Sequence, residues 1–314
     1  MVETPYSLLL IDTGGSNVFL ADGPSGQVIR EWPFPKEYTP LDIILRDGAK
    51  QAYILAAAEE DSALFQLDIA SESFARLPVA LPTTVAFALS PISETAYLVN
   101  REGSLHSLNL SDHRLCRIGQ ADSKAVCTGL AADQNYLYSI WRHETGGLLA
   151  TFTHSGRLMG ESLLPGIPTH LALSNKHLLI PFTASQSGCE GVFLLPSGKP
   201  ENHPTAITLH CCREAPIFKL YPCFAALSPD ETTSYIVCED SATVCIIDIA
   251  KACITGSIPV GRSLSSIALT PGGQLAVGGS HMFADLSLID LVNERLLSIT
   301  DCNRELFGKV VVVP

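Results

Sequence analysis

The sequence lacks the short motifs by which many enzymes are recognised. GxGxxG, GxxxxGK[ST], HExxH and GxSxG are all absent, and no CxxC pair occurs among the ten cysteines. These absences exclude the dinucleotide-binding, P-loop, zincin and nucleophile-elbow classes that such motifs define. A site that takes single residues from distant segments is not excluded, because it would leave no local motif.

Positive charge is also scarce. The 314-residue chain has 20 Lys and Arg against 32 Asp and Glu, a formal net charge of −12, and no run of basic residues. This argues against a non-specific nucleic-acid or anionic-membrane surface, since such binding needs clustered cations. The N-terminus, MVETPYSLLLIDTGG, has no basic segment, and its apolar run is too short for a signal peptide or a membrane span. We therefore expect a cytoplasmic protein with neither nucleic-acid nor membrane partners.

The cysteines show no disulfide or metal spacing. Five of the ten lie inside apolar, strand-like runs, namely Cys127, Cys223, Cys238, Cys245 and Cys253. Such positions predict buried free thiols that behave as small hydrophobic residues. The adjacent Cys211 and Cys212 are interpreted as neighbours on opposite faces of one strand, which we favour over a redox-active pair.

What the sequence does have is a repeated phrase, a short apolar run that ends in a turn signal. It reads AFALSP at 86–91, HLALSN at 170–175, FAALSP at 224–229 and SIALTP at 266–271, with weaker copies at 42–47 and 128–133. The equivalent residues are Arg46, Ser90, Ala132, Ser174, Ser228 and Thr270. Their spacings of 44, 42, 42, 54 and 42 residues are typical of the blades of a β-propeller.

Each period continues with three further strand-like runs, so that one blade has four short strands. The third run often ends in an Asx residue, at Asp22, Asp68, Asn109, Asp248 and Asp290. These side chains are interpreted as turn-formers rather than catalysts, because Asx side chains bond the backbone just downstream.

The N-terminal period supplies only three strands, and the missing one is found at the other end of the chain. VVVVP at 310–314 aligns with IALTP at 267–271. The sequence therefore predicts a single all-β domain over residues 1–314. It is a seven-bladed β-propeller of four-stranded antiparallel blades, whose ring closes when the C-terminal strand joins the first blade. The expected blades are 6–36 plus 308–314, 41–80, 82–120, 125–165, 168–212, 222–260 and 263–300.

Residues 228–261, SPDETTSYIVCEDSATVCIIDIAKACITGSIPVG, resemble the YVTN-type β-propeller repeat, with its SPDG turn, YVAN-like second strand, VSVID-like third strand and terminal IPVG. The resemblance extends to 263–298 and, less closely, to 82–113. Glu231 departs from it by standing where the turn glycine is usual. The family includes binding and scaffold proteins as well as relatives of lactonases and quinoprotein dehydrogenases, so the resemblance implies architecture and not one function.

IDTGGSN at 11–17 is similar to the phosphate-binding hairpin of sugar kinases and to the DTG loop of aspartic proteases. The kinase needs alternating helices and strands after the loop, and the protease needs a second DTG-like loop for its carboxylate pair. Neither follows in the sequence. We interpret the segment as a glycine-rich turn between two strands.

In a propeller, the turns between second and third strands and the segments that link the blades open on one face, called here the blade-linking face. Ligands usually bind there. Polar residues expected on it are Glu59, Glu60, Asp61, Arg101, Glu102, Arg142, His143, Glu144, Glu239, Asp240 and His281. The one long period points to an insertion, HCCREAPIFKLYP at 210–222, which carries Arg213, Phe218, Lys219 and Tyr221 in the mixture typical of binding hot spots. A loop that covers a sheet edge is the alternative for this insertion.

Two functions are compatible with these observations. The first is a non-enzymatic binding or scaffold protein that holds a protein or small ligand on the blade-linking face, with Arg101, Arg142, His143, Arg213, Phe218, Lys219, Tyr221 and His281 as binding residues. No cofactor is expected in that case. The alternative is a metal-dependent, lactonase-type hydrolase. Its divalent ion would be held by carboxylates and histidines at the channel mouth, with Glu60, Glu102, Glu144, Glu239 and Asp240 as ligands.

Overall fold

A computed structural model describes residues 5–46, 48, 50–121, 125–183, 189–199, 203–209, 220–280, 282–302 and 307–314. Seven four-stranded antiparallel sheets are arranged as the blades of a ring, which confirms the predicted fold class. The described part of the chain contains no helix that is long and apolar enough to span a membrane.

The first three blades take their strands from the N-terminal part of the chain. Blade 1 contains β1 (Ser7–Asp12), β2 (Asn17–Asp22) and β3 (Val28–Pro33). Blade 2 contains β4 (Thr39–Arg46), β5 (Gln51–Ala57), β6 (Ser62–Asp68) and β7 (Ser73–Arg76). Blade 3 contains β8 (Thr84–Leu89), β9 (Thr95–Asn100), β10 (Ser104–Asn109) and β11 (Leu115–Gln120).

Blades 4 and 5 form the middle of the chain. Blade 4 contains β12 (Val126–Ala132), β13 (Tyr136–Arg142), β14 (Gly147–Thr153) and β15 (Leu158–Leu164). In blade 5 the innermost strand is split into β16 (Ile167–Pro168) and β17 (Ala172–Leu173), and it is followed by β18 (His177–Thr183), β19 (Gly191–Pro196) and β20 (Thr205–Thr208). The predicted continuous strand at 170–175 is thus interrupted at its start.

The remaining strands complete the ring. Blade 6 contains β21 (Pro222–Leu227), β22 (Thr233–Cys238), β23 (Thr243–Asp248) and β24 (Cys253–Pro259). Blade 7 contains β25 (Ser266–Leu269), β26 (Leu275–Gly279), β27 (Asp285–Asp290) and β28 (Arg295–Asp301). The last strand, β29 (Phe307–Val313), pairs antiparallel with β1 and is the innermost strand of blade 1.

Ring closure is therefore made by β29 and β1, as the sequence predicts. Leu9 lies opposite Val311 and Leu10 opposite Val310 in this pairing. Val310 is 2% exposed and Leu10 is fully buried. The closure joins the two ends of the chain in one sheet, so the inner side of β1 is paired rather than left as an open edge.

The apolar core lies between blades rather than in one central mass. Side chains from facing sheets form separate clusters, and Phe34, Phe65 and Phe74 illustrate the contact of blades 1 and 2. Each blade packs against a neighbouring blade on both of its faces. This explains why the second and third strands are nearly continuous apolar runs. The outermost strands keep one face in solvent. Cys253 on β24 is exposed for that reason, so the prediction that it is buried was wrong.

The interpretation of the polar turn residues is confirmed. The Asp68 carboxylate accepts the Ser71 N–H at 2.8 Å, and the hydrogen bonds from Ser71 hold the pKa of Asp68 below its usual value. The Asn109 side chain accepts the Ser111 N–H at 2.8 Å. Asp12 in the IDTGGSN segment accepts the N–H groups of Gly14 and Gly15 within the hairpin that joins β1 to β2. The segment is a glycine-rich turn on the scaffold.

Candidate functional site

The turns between second and third strands carry most of the residues expected on the blade-linking face. Glu60 lies between β5 and β6, and Arg101 and Glu102 lie between β9 and β10. The β13–β14 hairpin contains Arg142, His143 and Glu144. Glu239 and Asp240 lie between β22 and β23. His143 and Glu239 are half-buried, and the others are exposed. None of these residues lines the two cavities described below, of about 780 and 370 Å³. Their ligand-binding role stays a prediction.

The five candidate metal ligands do not converge on one point. In the described part of the chain, no group of three or more His, Cys, Asp and Glu side chains is arranged to hold a metal ion. His281 lies outside the described residues. Asp61, on the same face, has a structural role, because it accepts a hydrogen bond from the Tyr38 hydroxyl and lies 3.8 Å from the Arg76 guanidinium.

Of the insertion at 210–222, only residues 220–222 belong to the described part of the chain. Arg213, Phe218 and Lys219 lie outside them, as do Cys211 and Cys212. Tyr221 is 39% exposed and has a left-handed backbone (φ 52°). Its carbonyl accepts the Glu239 N–H at 3.0 Å. The interpretation of this segment as a protein-binding surface remains a prediction.

Glu190, a buried residue missed from the sequence, contacts the last residues of the insertion through its carboxylate and the residue before the insertion through its backbone. Glu190, 8% exposed, accepts the N–H groups of Leu220 at 2.6 Å and Tyr221 at 3.2 Å through one carboxylate oxygen. Its own carbonyl accepts the Leu209 N–H at 2.9 Å. Glu190 thus fixes where the chain leaves blade 5 and where it enters blade 6.

A second set of residues missed from the sequence lines the central channel. One position on the innermost strand recurs in every blade, and we call these seven residues the inner ring. They are Asp42, Val85, Thr128, His170, Cys223, Ser266 and Lys309, at spacings of 43, 43, 42, 53, 43 and 43 residues. The spacing is regular, but the side chains are all different, so no residue type marks the ring in the sequence.

The backbone at the inner ring is irregular. The innermost strand carries one extra residue at or next to this position in blades 1, 2, 3, 4 and 6. In blade 5 the strand breaks there, between β16 and β17. A bulge in a strand turns a side chain away from the regular alternation, and such bulges are common next to binding sites.

Hydrogen bonds connect the ring from blade to blade. Five side chains from innermost strands each donate a hydrogen bond to the next blade. The acceptor lies on that blade's innermost strand or on the segment just before it. The pairs are Thr128 Oγ1 to Pro168 O (3.4 Å), Thr169 Oγ1 to Pro222 O (2.7 Å), Cys223 Sγ to Leu264 O (3.6 Å), Ser266 Oγ to Gly308 O (3.5 Å) and Lys309 Nζ to Asp42 Oδ1 (2.8 Å). The inner ring is held in place by these contacts between blades.

The charged members of the ring form an ion pair across the closure of the propeller. Lys309 on β29 and Asp42 on β4 are 25% and 34% exposed, respectively, in their side chains. A partly desolvated pair of this kind is screened less than a surface pair. Because Lys309 is on the C-terminal strand, the pair exists only when that strand completes blade 1.

His170 supplies a neutral imidazole beside this pair. Its ring stacks on Phe224 at a centroid distance of 3.9 Å, and its Nδ1 accepts the Ala225 N–H at 3.3 Å. Burial, together with the nearby Lys309 charge, lowers the pKa of His170 to about 3. The His170 imidazole is therefore uncharged at neutral pH. Because its Nδ1 accepts a hydrogen bond, its proton is on Nε2.

Five inner-ring residues line a cavity of about 370 Å³ in the channel: Asp42, Val85, Thr128, His170 and Lys309. The volume is at the lower end of the range typical of small-molecule sites. The cavity joins charged groups and a neutral donor with apolar walls such as Ile44 and Leu130. It sums to no net charge, since Lys309 and Asp42 balance and His170 is neutral.

A second and wider cavity, about 780 Å³, opens on the opposite face. Ala132 and Leu173 line both cavities, so the two are neighbours along the channel. Glu231, on the rim of this cavity, has a left-handed backbone (φ 58°). Glycine adopts this conformation most easily, which explains why the YVTN-type repeat usually has a glycine at this position. The Glu231 carboxylate accepts hydrogen bonds from the Ser174 hydroxyl and the Asn175 N–H, and so connects blade 6 to blade 5.

These features define a closed seven-bladed propeller with a small polar cavity in its channel. The chain matches no known protein-family profile, and no curated protein is significantly similar to it in sequence. Membership of the YVTN-type family is therefore not established.

Solved structures show the same architecture at low identity. Hydrazine synthase from Kuenenia stuttgartiensis is 13% identical over 90% of this chain and 92% of that one, with a TM-score of 0.77. The periplasmic gluconolactonase PpgL from Pseudomonas aeruginosa is 15% identical over 99% of both chains, also with a TM-score of 0.77. AztD from Citrobacter koseri is 13% identical over 99% and 98%, with a TM-score of 0.60. These similarities confirm the fold and do not assign an activity.

Proposed function

We propose that this propeller is a non-enzymatic binding protein that holds a small, uncharged, hydroxyl-rich molecule, such as a sugar or sugar lactone, in the channel cavity. The observation that carries the proposal is the inner ring, which brings Asp42, His170 and Lys309 to one cavity. The proposed ligand site therefore lies in the channel and not at the exposed turns of the blade-linking face.

The ligand class follows from the groups available. Lys309 uses one N–H on Asp42 and has two left, and His170 has its Nε2–H, so three donors remain for ligand oxygens. Asp42 is an acceptor for ligand hydroxyl groups. A charged ligand would leave the neutral cavity with an uncompensated charge, which is costly where water is scarce. An uncharged molecule with several hydroxyls matches these groups without that cost.

The hydrolase alternative has one supporting similarity, that of the fold to a gluconolactonase at 15% identity. A sugar lactone belongs to the ligand class proposed above, so the two functions share a compound and differ in whether it is converted. A lactonase of the expected type would also need a bound divalent ion, and the predicted ligands Glu144, Glu239 and Asp240 are not arranged in the described structure to hold one together.

The test is calorimetric titration of the purified protein with myo-inositol, D-glucose and glucono-δ-lactone. We expect saturable binding of at least one of the three. Replacing Lys309 by Met should weaken it by about tenfold or more, because the ammonium donor is lost and Asp42 is left unpaired. Cyclohexanol, which lacks the array of hydroxyls, and the anion gluconate should bind more weakly than their polyol counterparts.

Arg114→Ala is the matched control, since Arg114 is an exposed cation in the turn between β10 and β11, outside the cavity. It should bind like the wild type. Absence of saturable binding by all three compounds, or equal affinity in Lys309→Met, would rule the proposal out. Lactone hydrolysis above the spontaneous rate, dependent on added Ca²⁺, would instead favour the hydrolase.

A further inference from the structure

Two thiols in blade 6 lie close together without being bonded. Cys238, the last residue of β22, is fully buried, and Cys245 on β23 is 6% exposed. Their sulfur atoms are 3.7 Å apart. Both are free cysteines. A disulfide needs a sulfur separation of about 2.05 Å, so the side chains must turn and the two strands must move closer together to join them.

The sheet register explains the pairing. Ile236 lies opposite Cys245 and Cys238 opposite Thr243 on the paired strands, so the two cysteines are diagonal neighbours. Both pack into the same apolar cluster, which also contains Leu220 and Ile236. They therefore project from the same face of the sheet. The turn between the two strands, residues 239–242, receives the end of the insertion, because the Asp240 N–H donates to the Leu220 carbonyl at 3.2 Å.

We propose that Cys238 and Cys245 form a redox-active pair that a peroxide oxidises to an intrachain disulfide between β22 and β23. The bond would connect the two strands directly beneath the turn that contacts the insertion. This proposal is independent of the ligand proposed for the channel, since neither thiol lines that cavity.

The chemistry is balanced with hydrogen peroxide as the oxidant. The Cys245 thiolate attacks one peroxide oxygen, the O–O bond breaks, and hydroxide leaves to give a sulfenic acid. The Cys238 sulfur then attacks the sulfenic sulfur, the S–O bond breaks, and water leaves after proton transfer. Two thiols lose two electrons and two protons in total, and one peroxide becomes two waters.

The surroundings assign the roles of the two sulfurs. Cys245 is 6% exposed whereas Cys238 is fully buried, so peroxide reaches Cys245 more readily. The hydrogen bond between the two sulfurs also lowers the pKa of Cys245 and raises the pKa of Cys238. A thiolate is the nucleophile in such oxidations, so Cys245 reacts first and Cys238 resolves it.

The experiment is peroxide treatment of the folded protein, followed by denaturation, alkylation, trypsin digestion and mass spectrometry. Cys223, Cys238 and Cys245 fall in one tryptic peptide, residues 220–251. In untreated protein this peptide should carry three alkyl groups. After peroxide it should carry one and have lost two hydrogens, and dithiothreitol before alkylation should restore all three groups.

Single variants identify the pair. Cys223→Ser should keep the peroxide-induced disulfide, whereas Cys238→Ser and Cys245→Ser should each abolish it. Circular dichroism of each variant checks that the fold is retained. Three alkyl groups on the wild-type peptide after peroxide, or loss of the disulfide in folded Cys223→Ser, would overturn the proposal.

Discussion

Deleting residues 307–314 should abolish cooperative folding. The deletion removes β29, and with it Val310 and Val313, which are 2% and 8% exposed. Burying a valine stabilises a protein by about 1.5–3 kcal/mol, so loss of these two removes about 3–6 kcal/mol, which is comparable to the whole stability of a marginally stable domain. It also exposes the edge of β1. We expect the truncated chain to aggregate or to unfold without a sharp thermal transition, as monitored by circular dichroism.

A circular permutant separates the loss of β29 from the mere presence of new termini. Joining Pro314 to residue 5 through a short linker and opening the chain in the exposed turn at 91–94 keeps every blade strand. This permutant should melt cooperatively. A truncated chain that melts like the full-length protein would show that ring closure contributes little.

Replacing Glu190 by Ala should destabilise the protein by about 2–4 kcal/mol. The carboxylate accepts two backbone N–H groups, and at least that of Leu220, which is 4% exposed, has no access to water when the acceptor is lost. Hydrogen bonds to charged groups contribute about 1.5–3 kcal/mol each, and an unsatisfied buried donor costs about 1–3 kcal/mol. Urea unfolding, followed by tryptophan fluorescence, measures the change.

Two variants calibrate that measurement. Glu190→Gln keeps an acceptor oxygen in place and should lose less stability than Glu190→Ala. Glu144→Ala removes an exposed carboxylate and should change stability by less than about 0.5 kcal/mol. If Glu190→Ala costs no more than Glu144→Ala, Glu190 does not anchor the ends of the insertion.

The fold could be predicted because its information is local and repeated. Each blade carries its own apolar phrase and turn residues, and the match of 310–314 to 267–271 was enough to predict the closure. Blade 5 was predicted less well, since the break between β16 and β17 depends on how the chain packs in the channel. Burial in the outermost strands was also misjudged at Cys253, because an apolar run does not reveal which strand is outermost.

The candidate site could be predicted only in part. Polar residues cluster in the turns, so the sequence directed attention to residues such as Arg101 and His143. The channel residues are single and dissimilar, and in blades 1, 2, 3, 4 and 6 a bulge in the innermost strand affects their orientation. Aligning the innermost strands would have brought Asp42, His170 and Lys309 to one level. Their ion pair and the neutral imidazole, however, are products of packing between blades.

The central claim is that the inner ring, with a neutral His170, forms the ligand site, and histidine-labelled NMR tests it most directly. A histidine in the unfolded chain takes up its second ring proton near pH 6.5. The folded His170 should stay neutral, with a proton on Nε2 only, until the pH falls to about 3. Acid therefore destabilises the folded protein progressively between these two values. At pH 5 we expect a neutral-imidazole signal that is absent in His170→Gln, and its Nε2 resonance should shift on saturation with the polyol that binds in calorimetry. A fully protonated His170 at pH 5, or a resonance that ignores bound ligand, would contradict the claim.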